Sequence, residues 1–281
     1  MFISPSIFRI VLPSYRQSAW VYRVLPDFLL KPLRAIYNVY YGWFLCRNLR
    51  RQEQILAQLF PEQPARISAG PFKGMTYVGA SVGSLLLPKL VGFYEAELGD
   101  VIEKVVQHGY ERILNVGCAE GYYAVGLALR SPKTKVYAFD IDDKAARLCH
   151  ELAQHNRVDD RVIFSGACDP ARLNEMIQGE TVIVCDCEGY ELELLDPVKA
   201  PKLARADLLV ELHRVADAQV SVKEVLMKRF ESTHHCRFIP LGNYDPAQYA
   251  ILQKLSLPDQ KIAVAELRTG VNGWCWWERK R

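Results

Sequence analysis

Apolar positions in the middle of the chain fall in short solid runs separated by amphipathic stretches, and that alternation predicts the fold. Ile113 to Val116, Val136 to Phe139, Val162 to Ser165, residues 181–186 and Leu208 to Leu212 read as strands buried on both faces. Between them, Tyr122 to Leu129, Asp143 to Asn156, residues 170–178 and residues 219–230 carry helical spacing. Strands alternating with helices predict an α/β architecture, a mostly parallel sheet covered on both faces. Residues 236–240 and Trp274 to Glu278 add the last strands. Upstream, the pattern predicts helices over 17–24, over 27–58 with a break at Pro32, and over 84–107, with Phe72 to Val78 a short strand or hairpin. Pro61, Pro64 and Gly70-Pro71 read as a linker, dividing the chain into a helical arm, 1–70, and an α/β domain, 71–281.

The first strand runs into Gly117-Cys118-Ala119-Glu120-Gly121, and the second ends in Asp140. Gly117 and Gly121 let the backbone turn tightly and approach a ligand without Cβ interference. Asp140, nineteen residues past Gly121, stands where one βαβ unit places a carboxylate able to accept ribose hydroxyls. Nicotinamide-binding turns carry G-x-G-x-x-G, whose middle glycine admits a pyrophosphate to the helix N-terminus. Here that glycine is missing and Glu120 sits in the loop. A carboxylate there repels a pyrophosphate and suits a ligand bearing an ammonium, such as the methionine end of S-adenosylmethionine. The competing reading of a bare V-x-G-x-x-x-G is ordinary packing of helix on strand, and Asp140 in register tells against it.

Three blocks, NVGCAEGYYAVGLA at 115–128, CDCEGYELELL at 185–195 and LLVELHR at 208–214, resemble the class I S-adenosylmethionine-dependent methyltransferases and, within them, the FkbM-like group. The resemblance implies a Rossmann-like, mostly parallel seven-stranded sheet and methylation of a hydroxyl on a small molecule, sugar or glycan. It implies a cofactor-binding set of Asn115, Gly117, Cys118, Glu120, Gly121, Asp140, Ile141, Cys168, Asp169 and Asp186. Asn115 stands where the family usually has an acidic residue, and Cys118 and Glu120 replace a more usual small or amide pair.

Ligands of open α/β sheets bind outside the carboxyl ends of the strands, which selects Gly117 to Gly121, Asp140, Cys168-Asp169, Asp186 to Glu188 and Glu211 to His213. Asp169 can accept the adenine amino proton or cap the helix that starts at Pro170. Methyl transfer from a sulfonium is an in-line displacement, so the protein aligns a nucleophile and removes the proton of a hydroxyl acceptor. Asp186 and His213 close strands about 4.8 Å apart and are the expected catalytic pair. An unperturbed imidazole, with a pKa near ~6.5, suits a base at neutral pH; the alternative is a satisfied histidine at a strand end. Glu188 and Glu191 read as caps of the next helix, with Gly189 at an unusual backbone angle. Asp186, Glu188, Glu211 and His213 also make an oxygen-rich set that suits magnesium or manganese, and spacing leaves this variant open beside a cation-free base.

Composition narrows the class. The chain has 281 residues, 50% of them apolar, enough for one good core plus an extension. It has no run of eighteen uncharged apolar residues, and Pro5, Arg9 and Pro13 interrupt the first apolar stretch. Neither a transmembrane helix nor a signal peptide is therefore expected. Eight cysteines without a C-x-x-C pair read as reduced thiols in a cytoplasmic protein, and Cys185 with Cys187 cannot alone make a tetrahedral metal site. Residues 1–52 hold eight cations against Asp27, a net +7, and eleven aromatics, whereas the whole chain is +3. A basic aromatic arm suits a membrane surface, an acidic protein partner or an RNA backbone; the plainer reading is a helical layer packed on the domain. An RNA methyltransferase and a non-catalytic cofactor-binding interaction protein stay open as alternatives. Trp274, Trp276 and Trp277 could stack on a sugar or fill the core.

Overall fold

The computed structural model describes residues 27–213, 221–242, 245–268 and 271–281; the helix expected over 17–24 lies outside them. The apolar runs form β1 (Arg112–Val116), β2 (Lys135–Phe139), β3 (Val162–Ser165), β4 (Thr181–Cys185), β5 (Ala206–His213), β6 (His234–Ile239) and β7 (Val271–Arg279). The helices are α1 (Asp27–Leu59), α2 (Leu86–Val91), α3 (Gly99–His108), α4 (Tyr122–Arg130), α5 (Asp143–His155), α6 (Pro170–Met176), α7 (Glu191–Leu194), α8 (Val222–Phe230) and α9 (Leu257–Ala263). The strands make one seven-stranded sheet in the order β3-β2-β1-β4-β5-β7-β6. β1 to β5 run parallel, and β7 inserts antiparallel between β5 and β6. This is the expected Rossmann-like α/β fold with a mostly parallel sheet and an N-terminal helix.

Alternation within the strands builds a core on each face. Ile113, Val182, Val184, Leu209, Trp274 and Trp276 pack on the side of α3, α4 and α5. Leu114, Val116, Ile183, Cys185, Leu208, Val210, Cys275 and Trp277 pack on the side of α6 and α8. The C-terminal tryptophans are therefore sheet core, at most 4% exposed. Register aligns the carboxyl ends: Val116 pairs with both Phe139 and Cys185, and Cys185 pairs with Val210. Gly117, Asp140, Asp186 and Glu211 thus share one edge of the sheet.

Two helical expectations change. α1 runs unbroken through Pro32. The stretch 84–107 is broken, because Gly92 at φ 85° and Glu95 at φ 48° turn the chain left-handed between α2 and α3. A Cβ on Gly92 would lie 2.1 Å from the Ala69 carbonyl oxygen, so the segment read as a linker is pressed against α2. Phe60, Ala65 and Ile67 join the same core, and Arg66 bridges to Thr76 in a short antiparallel hairpin. The far end of α1 docks on α9, with Gln52 Nε2 donating to the Ile262 carbonyl at 2.7 Å and Arg51 forking onto Asp259 at 2.7 Å. No helix among the described residues is long and apolar enough to cross a membrane.

Lys89 of α2 reaches Glu120 in the glycine turn at 2.5 Å, the two side chains 2% and 0% exposed. Tyr77 and Ser81 donate hydroxyls to the same carboxylate at 2.6 and 2.8 Å, and the Val82 N–H donates at 2.9 Å. This clamp ties the segment before the sheet to the glycine turn. Removing one partner leaves a buried charge unpaired, so Lys89→Ala should cost about 3–5 kcal/mol in urea unfolding. Lys89→Met combined with Glu120→Gln should cost clearly less than the two single changes summed; an additive double-mutant cycle would show that the charges do not act as a pair.

Candidate functional site

The loop between β1 and α4 is held by its backbone. Gly117, Ala119 and Gly121 adopt positive φ of 76°, 46° and 96°. The N–H groups of Gly117 and Cys118 both donate to the Phe139 carbonyl, at 2.9 and 3.0 Å. Asp140 splints the arrangement, accepting the Ala119 N–H on Oδ2 at 2.9 Å and the Asp142 N–H on Oδ1 at 3.0 Å. Each carboxylate oxygen keeps a second lone pair for a ligand hydroxyl. Beside it Ile141 is 87% exposed, an apolar side chain the protein leaves uncovered.

Other expected cofactor contacts sit differently. Glu120, expected to meet a ligand ammonium, meets that of Lys89: both its oxygens are occupied inside the protein. Burial alone would raise its pKa, but the Lys89 charge and its hydrogen bonds hold the carboxyl below the usual value. The Cys118 thiol is buried, and its hydrogen bond with Cys149, together with burial, pushes its pKa up. Asn115 is 1% exposed, donates Nδ2 to the Val184 carbonyl at 3.3 Å, and leaves Oδ1 without a partner. Cys168 is buried, which pushes its thiol up to about 12, and Asp169 caps α6 by accepting the Arg172 N–H at 2.8 Å.

The ends of β4 and β5 bring Asp186, Glu211 and His213 together, each offering a ligand atom within 4.8 Å of the others. His213 Nδ1 lies 2.8 Å from Oε1 of Glu191, a carboxylate 0% exposed at the start of α7. Its Nε2 lies 3.1 Å from Glu211, 3.4 Å from Glu188 and 3.6 Å from Asp186. Glu188 and Gly189 make the turn that aims this group, at φ 53° and 105°. Burial would lower the His213 pKa, yet hydrogen bonds with Glu191 and Glu211 and the Asp186 charge raise it to about 11. An imidazole so surrounded favours its protonated form, above the unperturbed value expected of a base at neutral pH. Burial, with Glu211 alongside, pushes Asp186 well above the usual carboxylate range.

Glu211 turns its second oxygen to Arg268, a residue with no motif to reveal it. The Arg268 guanidinium also lies 2.6 Å from Glu97 and 3.5 Å from both Glu95 and Glu266. Tyr123 donates its hydroxyl to Glu95. Burial raises Glu95 to about 8 and Glu266 to about 7 against the pull of Arg268. None of these carboxylates was legible in the sequence as a site residue, because they come from irregular segments at 95–97 and 265–268. Glu191 was legible in the C-D-C-E-G-Y-E block, although its partner was not.

No family model matches the chain. It is 26% identical over 180 residues to a release factor glutamine methyltransferase of Flavobacterium psychrophilum, covering 60% of this chain and 55% of that protein. The chain thus spans about half the length of that curated relative. Among solved structures, cofactor-bound Rv0187 from MTB is similar at 16% identity and a TM-score of 0.44, covering 63% of this chain and 77% of that one. The O-methyltransferase of Bacillus cereus, in complex with SAH, is similar at 15% identity and a TM-score of 0.43, covering 64% and 79%. TomG, an O-methyltransferase of Streptomyces achromogenes in complex with SAM, is similar at 12% identity and a TM-score of 0.43, covering 65% and 81%.

Proposed function

We propose that this protein is an S-adenosylmethionine-dependent methyltransferase that modifies a hydroxyl oxygen of a small molecule or sugar. The observation that carries this reading is the shared edge on which the splinted glycine loop, Asp140 and the Asp186 pocket lie side by side. The FkbM-like motifs, within the stretch of 112 to 214, support the same reading, as does the similarity to a curated methyltransferase. In this reading Asp140 holds the ribose, Ile141 covers the adenine, and Gly117 to Gly121 admit the methionine end. Asp186, its side chain 27% exposed at the end of β4, lies nearest the acceptor and takes its proton. His213 positions Asp186 and balances its charge, and Glu191 holds His213.

The arm extends the proposal to a membrane surface. Val39, Tyr40, Trp43 and Phe44 are exposed on α1, Tyr40 at 61% and Trp43 at 56%, and Arg47 stacks over the Trp43 ring at 5.5 Å. Aromatic side chains beside arginines suit the headgroup layer of an anionic bilayer.

Calorimetric titration with S-adenosylmethionine in EDTA tests the cofactor site. Asp140→Ala should weaken binding by roughly tenfold or more, since a lost hydrogen bond to a charged group costs about 1.5–3 kcal/mol. A folded wild-type protein that does not bind would sink the methyltransferase reading. For the arm, the full chain should co-sediment with phosphatidylglycerol vesicles in a salt-sensitive way, and Trp43→Ala with Phe44→Ala should abolish most of it. Sedimentation unchanged by the double substitution would make the exposed aromatics irrelevant to lipid.

A further inference from the structure

We propose that a second pocket, lined by Arg66, Lys73, His155 and Arg157, binds a small molecule that carries phosphate. It is a cavity of about 370 Å3 between the hairpin at 66–76 and the C-terminal ends of α4 and α5. None of the residues expected to hold cofactor or acceptor lines it, and among the described residues no carboxylate does.

Unanswered charge sets this wall apart. Elsewhere in the domain arginines meet acids, Arg130 pairing with Glu103 at 2.8 Å and Arg279 with Glu180 at 2.7 Å. Arg66, Lys73 and Arg157 have neither a carboxylate within 4.0 Å nor a side-chain hydrogen bond among the described residues. Like charges gathered around one cavity repel one another, and a bound anion turns that repulsion into attraction. The plainer account, cations set to offset the negative ends of α4 and α5, reaches only His155 and Arg157. That end of α5 is already closed by backbone, the Arg157 and Val158 N–H groups donating to the Gln154 and Ala153 carbonyls, both at 3.0 Å. Arg66 and Lys73 come from the hairpin and have no helix end to offset.

A polar bracket holds the two halves of the wall together. Asn156 Oδ1 accepts the Thr76 N–H at 2.9 Å, and its Nδ2 donates to the Thr76 carbonyl at 2.7 Å and to the Leu152 carbonyl at 2.8 Å. The next residue, Arg157, takes left-handed backbone at φ 55°, a conformation that favours glycine or asparagine over a long side chain. The Thr76 hydroxyl has no partner among the described residues and lines the same cavity.

This lining selects phosphate. Each guanidinium can fork onto two oxygens of one phosphate, and a lysine adds a mobile point charge. The cavity is larger than bare phosphate needs and falls within the size of small-molecule sites, with Leu129 giving the rest of the ligand an apolar side.

The test is calorimetric titration of the full-length protein with inorganic pyrophosphate at about 0.15 M salt. One equivalent should bind, and affinity should fall as salt rises, because the contacts are exposed charges. Arg66→Gln, Lys73→Gln and Arg157→Gln should each weaken binding roughly threefold to tenfold, and the triple variant should abolish it. Arg157→Gly guards against misfolding: it suits the left-handed position, so it should keep the unfolding temperature and still bind more weakly. Arg47→Gln with Arg50→Gln, on α1 and outside the pocket, should leave binding unchanged. A folded wild type that does not bind pyrophosphate, or binding that survives the triple substitution, would overturn the site. A single-stranded oligoribonucleotide that displaces pyrophosphate and binds about a hundredfold more tightly would also overturn it, by assigning these cations to a nucleic-acid backbone.

Discussion

The carbonyl of Asp186 lies so near Gly117 that a Cβ there would sit 1.6 Å from its oxygen. Gly117, at φ 76°, admits this approach, and the Asp186 N–H donates to the Val116 carbonyl at 2.9 Å, sealing the end of β1 against β4. An alanine would have to displace backbone, not a flexible side chain. Because β1 also pairs with β2, and β4 with β5, this contact locks the glycine loop, Asp140 and the acidic pocket into one rigid edge. The glycine turn and the acidic pocket share a wall for that reason.

Behind the edge lies an electrostatic problem. Asp186, Glu188, Glu191, Glu211, Glu95, Glu97 and Glu266 crowd around His213 and Arg268. Arg268 joins the turn at 95–97 to β5 and to the segment before β7. Raised values at Glu95 and Glu266 mean that part of the charge is removed by protonation at neutral pH. A carboxyl raised on folding costs stability as pH climbs above its unfolded value, so this region spends stability to hold its acids together. Such spending is common where a site must present charge to a ligand.

Regular elements were legible because their signals are local. Solid apolar runs marked β1 to β5, and the antiparallel β7 was read from alternation at Trp274 to Glu278, although its place between β5 and β6 was not. The helix over 84–107 was misjudged because Gly92 and Glu95 adopt left-handed backbone under tertiary pressure from Ala69 and Glu266. α9 escaped notice, although Ser256 followed by Pro258 is a start signal: the Ser256 hydroxyl accepts the Asp259 N–H. The Lys89 partner of Glu120 was not legible, since nothing local shows that a residue thirty-one positions upstream folds back onto it.

By itself the sequence determined the α/β class, the glycine turn, Asp140 in register and the acidic residues at the ends of β4 and β5. Each depends on backbone periodicity and on residues close in the chain. Tertiary structure alone decided which carboxylates face which cations. Arg268 reaches across 57 positions to Glu211, and Glu191 spans 22 to hold His213. Charge pairing is set by distance in space and by the loss of solvent around each group, and neither quantity is written in linear order.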